Sequence, residues 1–353
     1  LDNRGRHAQQ DSDNILSIDG SYGEGGGQIL RTSLALSGIT GIPIKVHSIR
    51  AKRRNPGLAN QHLTAILAAA EVCNASVSGA EIGSQCIEFH PSEIQAGRFE
   101  FDIGTAGSVT LVLQTLIPMA IMADHECTFL LTGGTDVPWS PSVQYFLHVF
   151  CEFLERLGVT VRVYTLKHGF YPKGGGVIRT VVYPASSLTQ LDLEERGEFQ
   201  RVDIWSVASN HLKGAHVAER QANAASEELS LDARINTFYA PASSPGSSIH
   251  LHAHFTNTKL GAGALGKRGL RAEDVGREAG RILREEIDSG ATLDLYMTDQ
   301  ILLYLALAGG GVFTTRELTE HAKSCMWLIE QFLPVRFNSE KQKNLWKVSI
   351  ARL

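Results

Sequence analysis

Between Ser17 and Leu58 the chain runs SIDGSYGEGGGQILRTSLALSGITGIPIKVHSIRAKRRNPGL. Its loop carries Gly23, Glu24, Gly25, Gly26 and Gly27, and a helix-like apolar run from Ile29 to Leu36 follows with Arg31 inside it. A strand-like Ile42 to Ile49 then ends in a basic knot of Arg50, Lys52, Arg53 and Arg54. Glycines lack a Cβ, so backbone N–H groups can approach an anion closely, and a helix start adds a favourable dipole. Arginines supply forked donors that match phosphate oxygens. One carboxylate in such a loop is out of place unless a cation sits between it and the phosphates. The pattern is neither the Gly-Lys-Ser/Thr of a P-loop nor the spaced GxGxxG of dinucleotide folds. On its own residues the stretch reads equally well as a glycine-rich turn beside a solvated basic loop.

Histidine is the second residue type that could do chemistry, and the chain has 13. His62 falls at the polar-to-apolar border of a helix. His250, His252 and His254 alternate along a strand and face one side, but no carboxylate or cysteine stands at ligand spacing to support a metal triplet. His321 differs by position. Thr319 suits an N-cap, which puts His321 two residues into a helix running to Leu333. A helix N-terminus disfavours imidazolium, and neutral imidazole is the form that attacks phosphorus or acts as a base. The same helix end would stabilise a phosphate delivered to that nitrogen, and Gly309 to Gly311 leave room for a bulky ligand. The plainer alternative is an exposed histidine in a first helical turn.

The elements that position these residues follow from periodicity. Gln61 to Cys73 places Leu63, Ile66, Leu67 and Ala70 on one helical face, followed by strand-like Ala75 to Val77 and Cys86 to Phe89. Val143 to Leu157 repeats this with Phe146, Phe150, Phe153 and Leu154, then Val159 to Tyr164 and Gly176 to Tyr183. His321 to Leu333 does so again, then Val335 to Phe337 and Trp346 to Ile350. Triple glycines recur in GGGQILRT, GGGVIRT and GGGVFTT, and read as a second mark of one repeat. Three α/β units fit only if a filler separates the second from the third. That filler has strand-like Arg201 to Val207 and Ile249 to Phe255, and a charged helix from Arg271 to Ile287 stopped by Gly290. The expected division is 15–186 for two units, 187–289 for an inserted domain and 290–353 for the third unit. Val109 to Ala123 is apolar nearly all round and should be buried between units, where Gln114 needs a hydrogen-bonding partner or a ligand.

Composition bounds the function. Hydrophobic content of 43% and charged content of 20% are those of an ordinary soluble globular protein. A net charge of −4 excludes a polycation that coats nucleic acid, so any RNA or nucleotide contact must come from a local patch such as Arg50 to Arg54. Cys73, Cys86, Cys127, Cys151 and Cys325 form no CxxC pair and are odd in number, which points to reduced, buried thiols. The longest apolar stretch is broken by Gln114 and Pro118, so no membrane span is expected. The first residues, LDNRGRHAQQDSDN, lack the apolar core of a signal peptide and read as a loose leader. A cytoplasmic protein is expected, with the nucleus as a second compartment in a nucleated cell.

Ordered motifs from end to end carry a resemblance: DGSYGEGGGQILRTSLALS, SIRAKRRNPGLANQHL, GSVTLVLQT, LLTGGTDVPWSP, HGFYPKGGG, HVAER, TDQILLYLALAGGG and LTEHAKSCMWLIEQFLPVRF. From Leu16 to Ile350 the chain resembles the RNA 3′-terminal phosphate cyclase family. The resemblance implies an α/β (α+β) protein: a large domain of three tandem units, helices on four-stranded sheets, with a smaller inserted α/β domain. It implies ATP and a divalent metal (Mg²⁺ or Mn²⁺) as cofactors and RNA 3′-phosphate ends as partner. The implied reaction converts an RNA 3′-phosphate to a 2′,3′-cyclic phosphate with release of AMP and pyrophosphate.

Residue roles follow from the same resemblance. His321 matches the nucleophile that is adenylated on its ring nitrogen, and Glu24 the metal-linked glutamate. Arg31, Arg50, Arg53 and Gln61 match residues that bind phosphates of ATP or of the RNA end. Gln114 matches a nucleotide-contacting glutamine, and Pro141 and Tyr296 match the pair that sandwiches adenine. Tyr296, Met297, Thr298, Asp299 and Gln300 make up the nucleotide-binding segment. One departure stands out: the family continues His-x-x-Thr-Asn, whereas this chain has His321-Ala322-Lys323-Ser324-Cys325, which bears on rate rather than on reaction class. Two other classes are weighed. A cyclase-like ribosome-biogenesis scaffold binds RNA without adenylating itself, but such relatives lack the histidine. An enolpyruvate transferase built from similar repeats would need motifs that are absent. In the inserted domain Lys213, Lys267, Arg268 and Arg271 read as a solvated face, with RNA contact as the alternative.

Overall fold

Alternating burial along the strands sets the layers. Cys127–Gly133, for example, buries every second residue, the period of a sheet with one face against helices. The structure, a computed structural model, describes residues 15–353, so the leader read over residues 1–14 lies outside the described residues. The first sheet holds Leu16–Asp19 (β1), Ile44–His47 (β2), Ser76–Ser78 (β3) and Ile87–His90 (β4) in the order β1-β2-β4-β3. Gly27–Thr40 (α1) crosses between the parallel β1 and β2, and Asn60–Val72 (α2) leads into the β3–β4 hairpin, whose β4 adds antiparallel to β2.

The second sheet repeats this wiring. Gly97–Asp102 (β5) and Cys127–Gly133 (β6) are parallel across Val109–Ala120 (α3). A helix over 143–156 follows, made of Val143–Tyr145 (α4), a π-helical stretch Phe146–Phe150 and Cys151–Arg156 (α5). Val161–Lys167 (β7) and Gly176–Val182 (β8) close the order β5-β6-β8-β7.

The third unit begins earlier than the sequence suggests. Leu191–Leu193 (β9), expected inside the filler, pairs in parallel with Gly310–Thr315, a strand of the third sheet. The filler therefore interrupts the third unit at its first crossover instead of preceding it. It holds Phe199–Ser209 (β10), Val217–Leu229 (α6), Ala233–Ala240 (β11), Ser247–Phe255 (β12), Lys259–Leu265 (β13) and Ala272–Ser289 (α7), with sheet order β11-β10-β12-β13. Leu295–Gln300 (α8) and Leu302–Leu307 (α9) lead back into Gly310–Thr315 (β14). Glu320–Phe332 (α10), Val335–Gln342 (β15) and Leu345–Arg352 (β16) complete the order β15-β16-β14-β9. All three large-domain sheets thus share one topology.

The triple glycines are not a mark of that repeat. Gly25 to Gly27 open α1, Gly174 to Gly176 enter the fourth strand of their unit, and Gly309 to Gly311 enter the second of theirs. They answer local turn requirements at unrelated places, whereas the helix–strand–strand recurrence is the true period. Every residue of α3 except Gln114 is buried, and α3 packs against both α1 and α2. Among the described residues no helix is long and apolar enough to cross a membrane.

Within the filler, Ile249, Leu251 and Ala253 face α6 and α7 in a core cluster of their own. The alternate face carries the histidines toward the large domain. Here the sequence reading is corrected: a carboxylate does stand beside them, because β10 pairs antiparallel with β12 and sets Asp203 opposite His252. Asp203 Oδ2 lies 2.8 Å from His254 Nε2 and 3.5 Å from His252 Nε2. Strand register, invisible in linear spacing, brings them together. Arg201 also contacts Asp203, and Lys259 pairs with Glu152 of the large domain. His148 stacks on Trp205 at 4.4 Å, so the face works as a charge-compensated seam between the domains.

Candidate active site

Two helix starts meet at the centre of the molecule. Thr319 caps α10, its Oγ1 accepting from Ala322 N at 3.1 Å, as the sequence leads one to expect. α10 packs on α1, and the stacked rings of Tyr22 and Trp327 (centroids 4.0 Å) fasten the glycine loop to it. His321, in the first turn of α10, thereby faces Gln28, in the first turn of α1.

Hydrogen bonds fix the ring. Gln28 Nε2 donates to Asp299 Oδ2 at 3.2 Å. With that nitrogen turned to Asp299, the amide oxygen of Gln28 faces His321 Nδ1 and suits a proton there. Nε2 is left facing Glu24 Oε2 at 2.9 Å. Burial holds the His321 pKa below the ordinary histidine value; Arg31 and Arg53 push the same way, and Glu24 opposes them. With the proton on Nδ1, a neutral ring would present its Nε2 lone pair to the Glu24 carboxylate. A cation on Glu24 or an electrophile at Nε2 relieves that contact. Gln28 carries no expectation from the sequence; its only signal is its place immediately after the glycine triplet.

Around this pair the cationic residues divide. Arg53 Nη2 approaches Glu24 Oε2 at 3.4 Å, whereas Arg50 donates to Gly57 O at 2.6 Å within its own loop. Arg31 lies near Asp299; burial drives their pKa values to about 10 and about 7 respectively, each moderating the other. His62, buried beside Arg31, accepts from Ala59 N, and burial takes its pKa down to about 3, so it stays neutral. A Cβ on Gly27 would lie 2.2 Å from His62 Nε2, so a side chain there would expel the ring. Gln61 turns away from His321, its Oε1 accepting from Ser108 N at 3.0 Å ahead of α3.

The glycine loop also explains where the Ser324 departure sits. Gly23 has φ +58°, and a Cβ there would come within 2.1 Å of Ser324 Oγ, which donates to Glu320 O at 2.7 Å. Gly23→Ala is expected to lower stability by about 2 kcal/mol in urea unfolding, from the left-handed backbone and the displaced hydroxyl. An unchanged midpoint would show that the loop relaxes freely.

A cavity of about 1550 Å³ opens from His321, lined by residues of the repeated units and of the filler. Gln114, Pro141, Tyr296, Asp299 and Gln300 line it. The polar group in α3 finds its partner there: Gln114 Nε2 donates to Gln300 Oε1 at 2.7 Å. Tyr296 is 49% exposed, leaving a ring face free, and is held by Asp294, which accepts from Tyr296 N, Met297 N, Tyr145 Oη and Gly261 N. Asp294 is another residue the sequence did not single out; burial raises its pKa to about 6. Met297 and Thr298, of the same segment, turn their side chains away from the cavity. Both are fully buried, Thr298 Oγ1 bonding Thr315 Oγ1, because α8 turns those positions into the core.

The RNA 3′-terminal phosphate cyclase family profile matches residues 22–339. The chain belongs to the RNA 3′-terminal phosphate cyclase family. An RNA 3′-terminal phosphate cyclase of Nitrosospira multiformis is 45% identical over 346 residues, covering 95% of this chain and 96% of its own. Those of Pyrococcus abyssi and Ignicoccus hospitalis are 46% and 47% identical, covering 90% and 91% of this chain and 93% of each relative. Membership of this cyclase family makes the chain an enzyme, and its mixed α/β architecture is that of the family.

Proposed function

We propose that the protein is an ATP-dependent RNA 3′-terminal phosphate cyclase that works through a covalent histidyl-AMP on His321. The observation that carries this reading is the contact of His321 Nδ1 with Gln28, whose amide nitrogen is turned to Asp299, which leaves Nε2 as the ring nitrogen facing Glu24 near a helix N-terminus. Nε2 attacks the α-phosphorus of ATP and pyrophosphate leaves. AMP passes to the RNA 3′-phosphate, forming an anhydride, and the neighbouring 2′-hydroxyl displaces AMP as the cyclic phosphate closes. Covalent catalysis divides one hard displacement into easier ones. Arg31 and Arg53 stand where phosphate charge would develop. Tyr296 and Pro141 offer an adenine sandwich, with Gln114 and Gln300 at its edge.

Glu24 fits a divalent cation. Its half-exposed carboxylate faces a lone pair, and a single carboxylate suits an ion of the Mg²⁺ class that keeps water and phosphate oxygens as its other ligands. Bound there, such an ion would neutralise triphosphate charge. The division of the chain into a three-unit large domain and an inserted domain belongs to the same proposal, with the insertion after Leu193.

Incubation with ATP labelled at the α-phosphate is expected to leave acid-labile label on the denatured protein. No label, with nucleotide still bound, would overturn the proposal. The pH profile adds a signed test. Because the His321 pKa is depressed, the ring stays neutral to lower pH than free histidine, so the adenylation rate should hold from pH 8 downward and fall only below about 6.5. An acid limb above that value would contradict the assigned ring environment.

A further inference from the structure

The cavity is larger than one nucleotide needs. At about 1550 Å³ it exceeds the roughly 300–1,000 Å³ typical of single small-molecule sites. Its inner part, around His321 and Tyr296, is accounted for above. Its outer part has a different character. Trp139 is 97% exposed and Tyr171 is 68% exposed, and both line the cavity. Trp139 also has φ +62°, a costly backbone state for a bulky side chain. Three residues before it, Asp136 bridges to Phe170 in the loop after β7, accepts from His168 at 3.0 Å, and accepts from Ser248 Oγ at 2.8 Å. The two loops that carry Trp139 and Tyr171 are thus locked side by side. On the inserted-domain wall of the same cavity stand Lys267 and Arg268, both exposed, and among the described residues neither has an ion-pair partner.

Exposed aromatic faces beside unpaired cations, leading to a phosphate-handling centre, match single-stranded nucleic acid. Bases stack on aromatic rings whatever their identity, and cations neutralise the backbone. We infer that Trp139 and Tyr171 form a stacking platform for the nucleobases just upstream of an RNA 3′-phosphate, with Lys267 and Arg268 holding the intervening phosphodiesters. The inference rests on the cyclase reading above and adds to it the way a strand of any sequence is gripped behind its reactive end. The inserted domain then contributes one wall of the RNA site.

The test is equilibrium binding of a 3′-phosphorylated oligoribonucleotide to the full chain without ATP. Trp139→Ala should weaken binding about tenfold, the loss expected for one base–aromatic stack. An oligonucleotide abasic at its last two positions should bind wild type about 100-fold more weakly, two stacks at about tenfold each, and should bind Trp139→Ala, which keeps Tyr171, only about tenfold more weakly than the intact strand does. The double variant Lys267→Ala/Arg268→Ala should bind less tightly, with the salt slope reduced by about 1.4, two phosphates at about 0.7 each. Both variants should form label from α-labelled ATP at wild-type rates. Equal binding of abasic and intact strands by wild type would overturn the platform. So would a parallel loss of ATP affinity in Trp139→Ala, which would hand the ring to the nucleotide. Failure of wild type to form an adenylate while the binding pattern holds would sink the cyclase chemistry and leave the platform standing.

Discussion

His321→Ala should lose adenylate formation by at least about 10⁴-fold while ATP still binds. The loss is that large because, among the described residues, nothing else near the site can replace the nucleophile. His62 is neutral, but it is buried and its Nδ1 is occupied by Ala59 N. Burial pushes the Cys325 thiol, which also lines the cavity, up to about 12, so it supplies no thiolate. Removing one member of a covalent apparatus commonly costs several orders of magnitude. The half-exposed ring anchors no core, so the melting temperature should change little. A second arm isolates the step: RNA already carrying an adenylated 3′-phosphate should still cyclise with the variant, because ring closure needs no histidyl-AMP. A variant that retained label would place the nucleophile elsewhere.

Gln28→Ala should slow adenylation by about 10²-fold with ATP affinity nearly unchanged. Gln28 acts through His321: Asp299 orients its amide, and its oxygen keeps the imidazole proton on Nδ1. Without it the ring can place its proton on Nε2 and donate to Glu24, which lies 2.9 Å away. That tautomer is neutral yet presents no lone pair to phosphorus. The fold-loss should therefore be constant from about pH 7.5 to 9, where the ring is neutral and redistributes its proton without gaining one. A loss that vanished at high pH would mean that Gln28 tunes the His321 pKa instead, and a loss in ATP affinity alone would make it a binding residue. Single-turnover labelling across that range decides among these.

The sequence by itself determined the family, through motifs spread from Leu16 to Ile350, and the repeated helices and the strands that follow them, through their periods, while Val217–Leu229 and Ala233–Ala240 of the filler went unread. Boundaries of the helices read over 61–73, 143–157, 271–287 and 321–333 came within a residue or two, because caps such as Thr319 and stops such as Gly290 are local chemistry, whereas the run to Leu36 fell four residues short of Thr40 and the run to Ala123 overshot Ala120 by three. Repetition of helix–strand–strand was legible for the same reason. The triple glycines misled, since a local turn signal carries no information on where in a unit it falls. Tertiary structure alone decided the rest. Leu191–Leu193 joined the third sheet because a three-residue strand is defined by its partner, β14, more than 100 residues away. Asp203 met His252 through strand register. Met297 and Thr298 turned inward because α8 is set by Asp294, itself held from β13 and α4. The link from Asp299 through Gln28 to His321 joins residues 271 and then 293 positions apart. Hydrogen-bond direction, which fixes the reactive nitrogen, depends on atoms brought together only by folding.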